Sequence, residues 1–132
     1  MEVKIDTKEK FTVVTPILTE LSDNIAADWM VMTKEQLLKE VKNVILDLKE
    51  VSNIVPGAAK GLVELQQVFY EANASLVICN LQEQVEKLLD EMEVLEILNV
   101  TPTESEAWDI VQMEEIEREL LDSDDMEFDT QK

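Results

Sequence analysis

The chain has no histidine, one cysteine (Cys79), two glycines (Gly57 and Gly61) and three prolines, and aromatic side chains make up only 5% of its residues. Each shortage excludes some chemistry. Without histidine, the commonest general base, metal ligand and near-neutral pH switch is missing. A single cysteine rules out an intrachain disulfide and any multi-thiolate zinc site, which suits a reducing compartment. Two glycines with no Lys-Ser or Lys-Thr pair behind them do not make a phosphate-cradling loop. No run approaches 18 apolar residues, and no stretch near Met1 joins a basic start to an apolar segment of signal-peptide length. The expectation is a cytoplasmic protein that does not insert into membranes.

Positive charge is scarce as well. Eleven Lys and Arg stand against 30 Asp and Glu, for a net charge of -19. The acid is not confined to the tail: residues 113–132 contribute -7 and residues 1–112 contribute -12. Such a surface repels phosphate backbones and anionic lipid headgroups, so nucleic acid is rejected as a ligand. Either solubility alone or a basic protein partner accounts for the charge. The cluster Asp122, Asp124 and Asp125 has calcium-like composition but lacks the glycine and closing bidentate glutamate of a binding loop, so no metal is expected. Cys79 ends an apolar run without a nearby cation and reads as a core thiol. The carboxylates fall on helix faces that the apolar stripes leave to solvent. No cofactor and no enzymatic activity are expected.

At 132 residues the chain is read as one domain over 1–112, followed by a continuation of the last helix and an acidic tail over 113–132, expected to be partly disordered. Val3, Ile5, Phe11 and Val13 alternate about a charged turn, Thr7 to Lys10, predicting a β-hairpin with one buried face that Pro16 ends. "SDNIAADWMVMTKEQLLKEVKN" is mainly helical, with Ser22 or Asp23 as cap and Ile25, Trp29, Met32, Leu37, Leu38 and Val41 inward. Thr33 and Gln36 resemble an internal capping box, where that helix breaks. "NVILDL" is a mostly apolar run opened by β-branched Val44 and Ile45, as in a central strand covered on both faces. A helix from about Gly57 to Ala72 buries Ala58, Leu62, Leu65, Phe69 and Ala72. "SLVIC" is the next strand, and Leu81 to Met92 the next helix. A short edge strand or turn lies near Leu95 to Val100. "TPTE" then places Thr101 as N-cap, Pro102 at the first helical position and Glu104 at the third. That last helix buries Ala107, Trp108, Val111 and Ile110 and leaves Glu115 outside. Its stripe of Met113, Ile116, Leu120 and Leu121 closes the core. The expected architecture is α/β: a mixed sheet of four to five strands with helices packed on it, entered by a hairpin and continued by βαβ units.

The element order and the segment "VILDLKEVSNIVPGAAKGLVEL" resemble the STAS domain, named after sulfate transporters and anti-sigma factor antagonists. Leu46, Asp47, Leu48, Val51 and Ile54 match that family's pattern. The likeness continues in "SLVICNL" and "VLEILNVTPTESEAWDIV" and spans about residues 2–112. It departs at one place. Where the family has Asp-Ser-Ser-Gly opening the next helix, this chain has Val55, Pro56, Gly57 and Ala58. In antagonists of the family a serine of that motif is phosphorylated by the anti-sigma factor, which adds about two negative charges at a helix N-terminus. Neither Pro56 nor Gly57 can carry a phosphate, so they form a degenerate phosphosite. Ser52, in the preceding turn, is the nearest hydroxyl.

The resemblance implies a bacterial, non-catalytic regulatory module in transcription signalling that binds a protein partner. Asn53, Val55, Pro56, Gly57, Ala58, Lys60 and Gly61 are its expected contact residues, and an anti-sigma factor or serine kinase is the partner class. A monomer or weak dimer is expected. The alternative is a structural STAS subunit of a stress-sensing or lipid-transport assembly, with the acidic helix "MEEIERELL" as its dock.

Overall fold

A computed structural model describes residues 3–131, with the side chains of Leu21, Asp23, Ala26, Trp29 and residues 122–131 left out. The expected core place of Trp29 and the Asp122, Asp124 and Asp125 cluster therefore lie outside the described residues. The elements follow as β1 (Val3–Thr7), β2 (Thr12–Pro16), β3 (Glu20–Leu21), α1 (Asp23–Glu35), a 3-10 turn (Gln36–Leu38), β4 (Val44–Asp47), β5 (Asn53–Ile54), α2 (Pro56–Glu71), β6 (Leu76–Cys79), α3 (Glu83–Glu91), β7 (Val100–Thr101) and α4 (Glu104–Gln131). Five strands form one mixed sheet in the order β1-β2-β4-β6-β7, and β3 pairs with β5 apart from it. The β1–β2 hairpin is antiparallel, while β2–β4, β4–β6 and β6–β7 are parallel. This is the mixed α/β architecture the sequence predicts.

The period of two along each strand divides the interior into two cores. Val14, Val44, Leu46, Leu76 and Ile78 point to one face, where they meet Leu62, Leu65 and Phe69 of α2 and Val85 and Leu89 of α3. Val13, Ile45, Val77 and Cys79 point to the other, with Phe11, and are covered by Ala107 and Val111 of α4. All four residues of β4 and of β6 are buried, because helices cover both faces of these strands. Phe11 and Trp108 stack at 4.7 Å between ring centroids, closing the edge of the second core.

Helix ends show why the segments stop where they do. After α2, Asn73 takes a left-handed conformation (φ 59°), and the Ala74 N–H reaches the Phe69 carbonyl at 2.9 Å. α3 ends the same way at Glu93 (φ 61°), with Val94 N–H on the Leu89 carbonyl at 3.1 Å. Both are Schellman closures, which satisfy the last carbonyls of each helix. Asn suits the left-handed position; Glu takes it at some cost.

Five expectations need correction. Ile5 is 40% exposed because β1 is the sheet edge and opens one face to solvent. The first helix breaks where Thr33 and Gln36 predict, with α1 stopping at Glu35, but only a 3-10 turn follows, and Leu38, expected inward, points out at 88% exposure. The chain there must turn to enter β4, and Gln36 is buried in its place. Thr101 does not cap α4, since its backbone pairs with Cys79 as the end of β7. The cap is Thr103, whose Oγ1 accepts from the Glu106 N–H at 3.2 Å. Glu115 is not outside, because its Oε2 accepts from Asn43 Nδ2 at 2.9 Å. Finally, Met113, Ile116, Leu120 and Leu121 do not close the core; all four are exposed.

Candidate functional site

The surface expected to meet a partner is assembled by the chain that leaves β4. Leu48 and Val51 drop into the first core, so the intervening turn at Lys49 and Glu50 is pushed outward. Asp47, buried at the end of β4, accepts the Lys49 backbone N–H on Oδ1 at 3.0 Å and faces the Lys49 ammonium at 3.6 Å from Oδ2. The turn is thereby held by the matched aspartate itself. Gln82, just before α3, donates from Nε2 to the Lys49 carbonyl at 2.7 Å and ties the next crossover to it.

The chain then pairs with β3. Ser52 and Asn53 both donate backbone N–H groups to the Thr19 carbonyl, at 2.8 and 3.0 Å. The Ser52 hydroxyl donates to the same oxygen at 3.1 Å. Asn53 Nδ2 reaches Glu20 Oε2 at 2.8 Å. Ile54 is buried, Val55 takes the N-cap position in extended conformation (φ -82°, ψ 155°), and Pro56 opens α2. Proline fits here because the first helical N–H has no intrahelical partner and the ring presets φ. The cap position offers no side-chain acceptor, and the first turn of α2 carries no acid. Behind it, Gly61 is buried where α2 packs on α1. A Cβ at Gly61 would lie 2.7 Å from the Met30 sulfur, so glycine lets the two helices approach.

The seven expected contact residues thus divide. Asn53, Pro56, Gly57 and Lys60 are exposed and Val55 is half-buried, forming a continuous surface around the mouth of α2. Ala58 and Gly61 are buried and support that surface from below. The sequence pattern does not reveal β3, which frames the loop through its Glu20 carboxylate together with the Thr19 carbonyl just before it. Its signal is weak, since a two-residue strand has no periodicity to detect.

At the other end of β4 lies an open cleft of about 840 Å³, lined among others by Lys8, Lys10, Lys42, Arg118, Glu9, Glu40, Glu115 and Glu119. Its cations and acids balance, and Lys8 is paired with Asp6 at 2.9 Å, so the cleft has no preference for an anion. Asn43 at its floor serves the fold: Nδ2 donates to the Lys10 carbonyl and to Glu115, and Oδ1 accepts the Ser75 N–H at 2.9 Å. Burial pushes the Cys79 thiol up to about 12, with the Asp47 carboxylate adding to the effect, so this sulfur is not a poised nucleophile. Among the described residues no three His, Cys, Asp or Glu side chains converge to hold a metal. Nor is any described helix long and apolar enough to cross a membrane.

Solved structures share this body. TM1081 of Thermotoga maritima, a candidate anti-sigma factor antagonist, superposes with a TM-score of 0.74 at 19% identity, over 83% of this chain and 94% of its own. The anti-sigma factor antagonist SpoIIAA in its unphosphorylated form gives 0.68 at 13% identity, over 84% and 96%. The murine anion transporter Slc26a9 gives 0.64 at 18% identity, over 79% of this chain but only 18% of the transporter. No curated protein sequence matches. The sequence profile of the STAS domain matches residues 2–107, which hold the first core whole and the second except for Trp108, Ile110 and Val111 of α4. With the profile and the five-stranded topology in agreement, the chain belongs to the STAS domain family.

Proposed function

We propose that this protein is a non-catalytic regulatory module that binds a protein partner through the mouth of α2, and that no phosphate switches this contact. The supporting observation is the surface of Asn53, Val55, Pro56, Gly57 and Lys60 on a STAS body, where the cap and first-turn positions carry no hydroxyl. The nearest hydroxyl along the chain, on Ser52, is engaged with the Thr19 carbonyl. SpoIIAA is named for antagonising an anti-sigma factor and is known in unphosphorylated and phosphorylated forms. An anti-sigma factor or related serine kinase is accordingly the partner class of choice, in a bacterial cytoplasm. Such a partner would be held constitutively, since the exposed first turn at Pro56 and Gly57 carries no group that a phosphate could modify.

The test is partner capture by the full chain and by two surface variants, Gly57→Arg and Lys60→Glu. Both positions are exposed and helix-compatible, so the fold survives. A partner lost by both variants supports the reading; one retained at full strength by both overturns it. A second reading, a structural subunit of a larger assembly, draws on the transporter likeness, in which a body of this shape is a small part of a long chain. Size-exclusion chromatography separates the two: a subunit elutes in a large stable complex, while the module elutes as a monomer or weak dimer.

A further inference from the structure

Beyond Val111, no described residue of α4 is buried, yet the helix continues. Met113, Ile116, Leu120 and Leu121 are 56%, 54%, 56% and 64% exposed. The spacing of the first three places them on one side of the helix. The opposite side is the one bound to the body: Glu114 accepts from Asn99, Glu115 from Asn43, and Arg118 donates to Ser75 Oγ at 3.3 Å. The apolar ridge is therefore held facing away from the sheet by polar contacts beneath it. Exposed Asp109, Glu117 and Glu119 frame it, and the one base of this stretch, Arg118, is turned inward.

These features select the occupant. Three apolar side chains spread over about 10 Å of helix offer a few hundred Å² of apolar surface. A stable interface needs about 800 Å² per partner, so the hydrophobic contact alone falls short and charge must add to it. A second copy brings the same acids and a net charge of -19 and is repelled. A cationic helix with its own apolar stripe meets both requirements.

We propose that the ridge Met113–Ile116–Leu120, framed by Asp109, Glu117 and Glu119, is a docking site for a cationic amphipathic helix of a protein partner. α4 covers one face of the sheet and α2 the other. The ridge and the mouth of α2 are thus separate surfaces, and the proposal does not rest on what binds at α2.

The test titrates the full chain by calorimetry with two 21-residue synthetic peptides of identical composition. One carries Leu at heptad positions a and d and Lys at e and g; the other is scrambled so that it has no apolar face. The amphipathic peptide is expected to bind at least tenfold tighter. Ile116→Ser with Leu120→Ser should abolish that advantage, whereas Gly57→Arg should preserve it. The triple reversal Asp109→Lys, Glu117→Lys, Glu119→Lys should weaken the Lys peptide tenfold or more and admit a Glu version of it. Equal binding of both peptides, binding of neither, or an advantage that survives Ile116→Ser with Leu120→Ser overturns the proposal. So does concentration-dependent dimerisation of the native chain that the same double substitution removes, which would assign the ridge to a second copy.

Discussion

Asn43→Ala is expected to be the most damaging single truncation of a polar side chain in the described structure. Asn43 is 5% exposed and joins four elements: the β1–β2 turn through the Lys10 carbonyl at 3.1 Å, α4 through Glu115 at 2.9 Å, the entry to β6 through the Ser75 N–H at 2.9 Å, and β4, which it precedes. A net hydrogen bond between neutral groups contributes about 1 kcal/mol and one to a charged group about 1.5 kcal/mol or more. Three lost bonds sum to about 3.5 kcal/mol on that scale. Lys10 and Glu115 border the open cleft and regain water, while Ser75 is buried and does not. The expected loss is therefore about 2–3 kcal/mol, or about a 10 °C fall in Tm for a chain of this length. Urea titration followed by Trp fluorescence and far-ultraviolet circular dichroism measures it, with an unchanged m-value. A double-mutant cycle with Glu115→Gln should show coupling of about 1 kcal/mol. A loss below about 1 kcal/mol, with no coupling, would refute the role given to this side chain.

Glu93 holds a left-handed conformation at the end of α3, so Glu93→Gly should stabilise the fold by about 0.5–1 kcal/mol in the same titration. Gly61→Val should destabilise by about 2 kcal/mol or more, because its branched Cβ meets the Met30 sulfur. In a Met30→Ala background the space opens, and Gly61→Ala should then gain about 1 kcal/mol of helix propensity. Cys79 keeps its proton in the folded state to about pH 12, against 9.0 for an ordinary thiol. The folded chain thus binds this proton more tightly than the unfolded one. The associated stability is complete below pH 9 and declines as pH rises toward 12. Correspondingly, a thiol-disulfide reagent at pH 8 should label Cys79 only on unfolding, and rapid labelling of the native protein would contradict its burial.

Most of the fold is written in periodicity. Val44 to Leu46 and Leu76 to Cys79 are buried on both faces, and their unbroken apolar runs say so. The stripe of α2 is equally plain, because Ala58, Leu62, Leu65 and Phe69 recur at helical spacing and are all buried. Signals that two elements compete for are less legible. Thr101 and Thr103 both stand in a capping context, and only the pairing of Thr101 with Cys79 decides that Thr103 caps α4. The stripe on α4 has core periodicity, yet the sheet ends before the helix does, so the same pattern emerges on the surface. Length of contact, unlike periodicity, is a tertiary quantity. At the candidate site, that Pro56 and Gly57 carry no hydroxyl is read directly from the residues. The burial of Ala58 and Gly61 beneath that surface depends on how α1 crosses α2, which no local pattern encodes.

The account stands most directly on whether the mouth of α2 receives a phosphate. The measurement is mass spectrometry of the Ser52–Lys60 region after the full chain is incubated with ATP in lysate of the cells that produce it, with partner capture read in parallel. The account predicts an unmodified region and a partner held equally with and without ATP. Phosphate on Ser52 together with ATP-dependent release of the partner would contradict it.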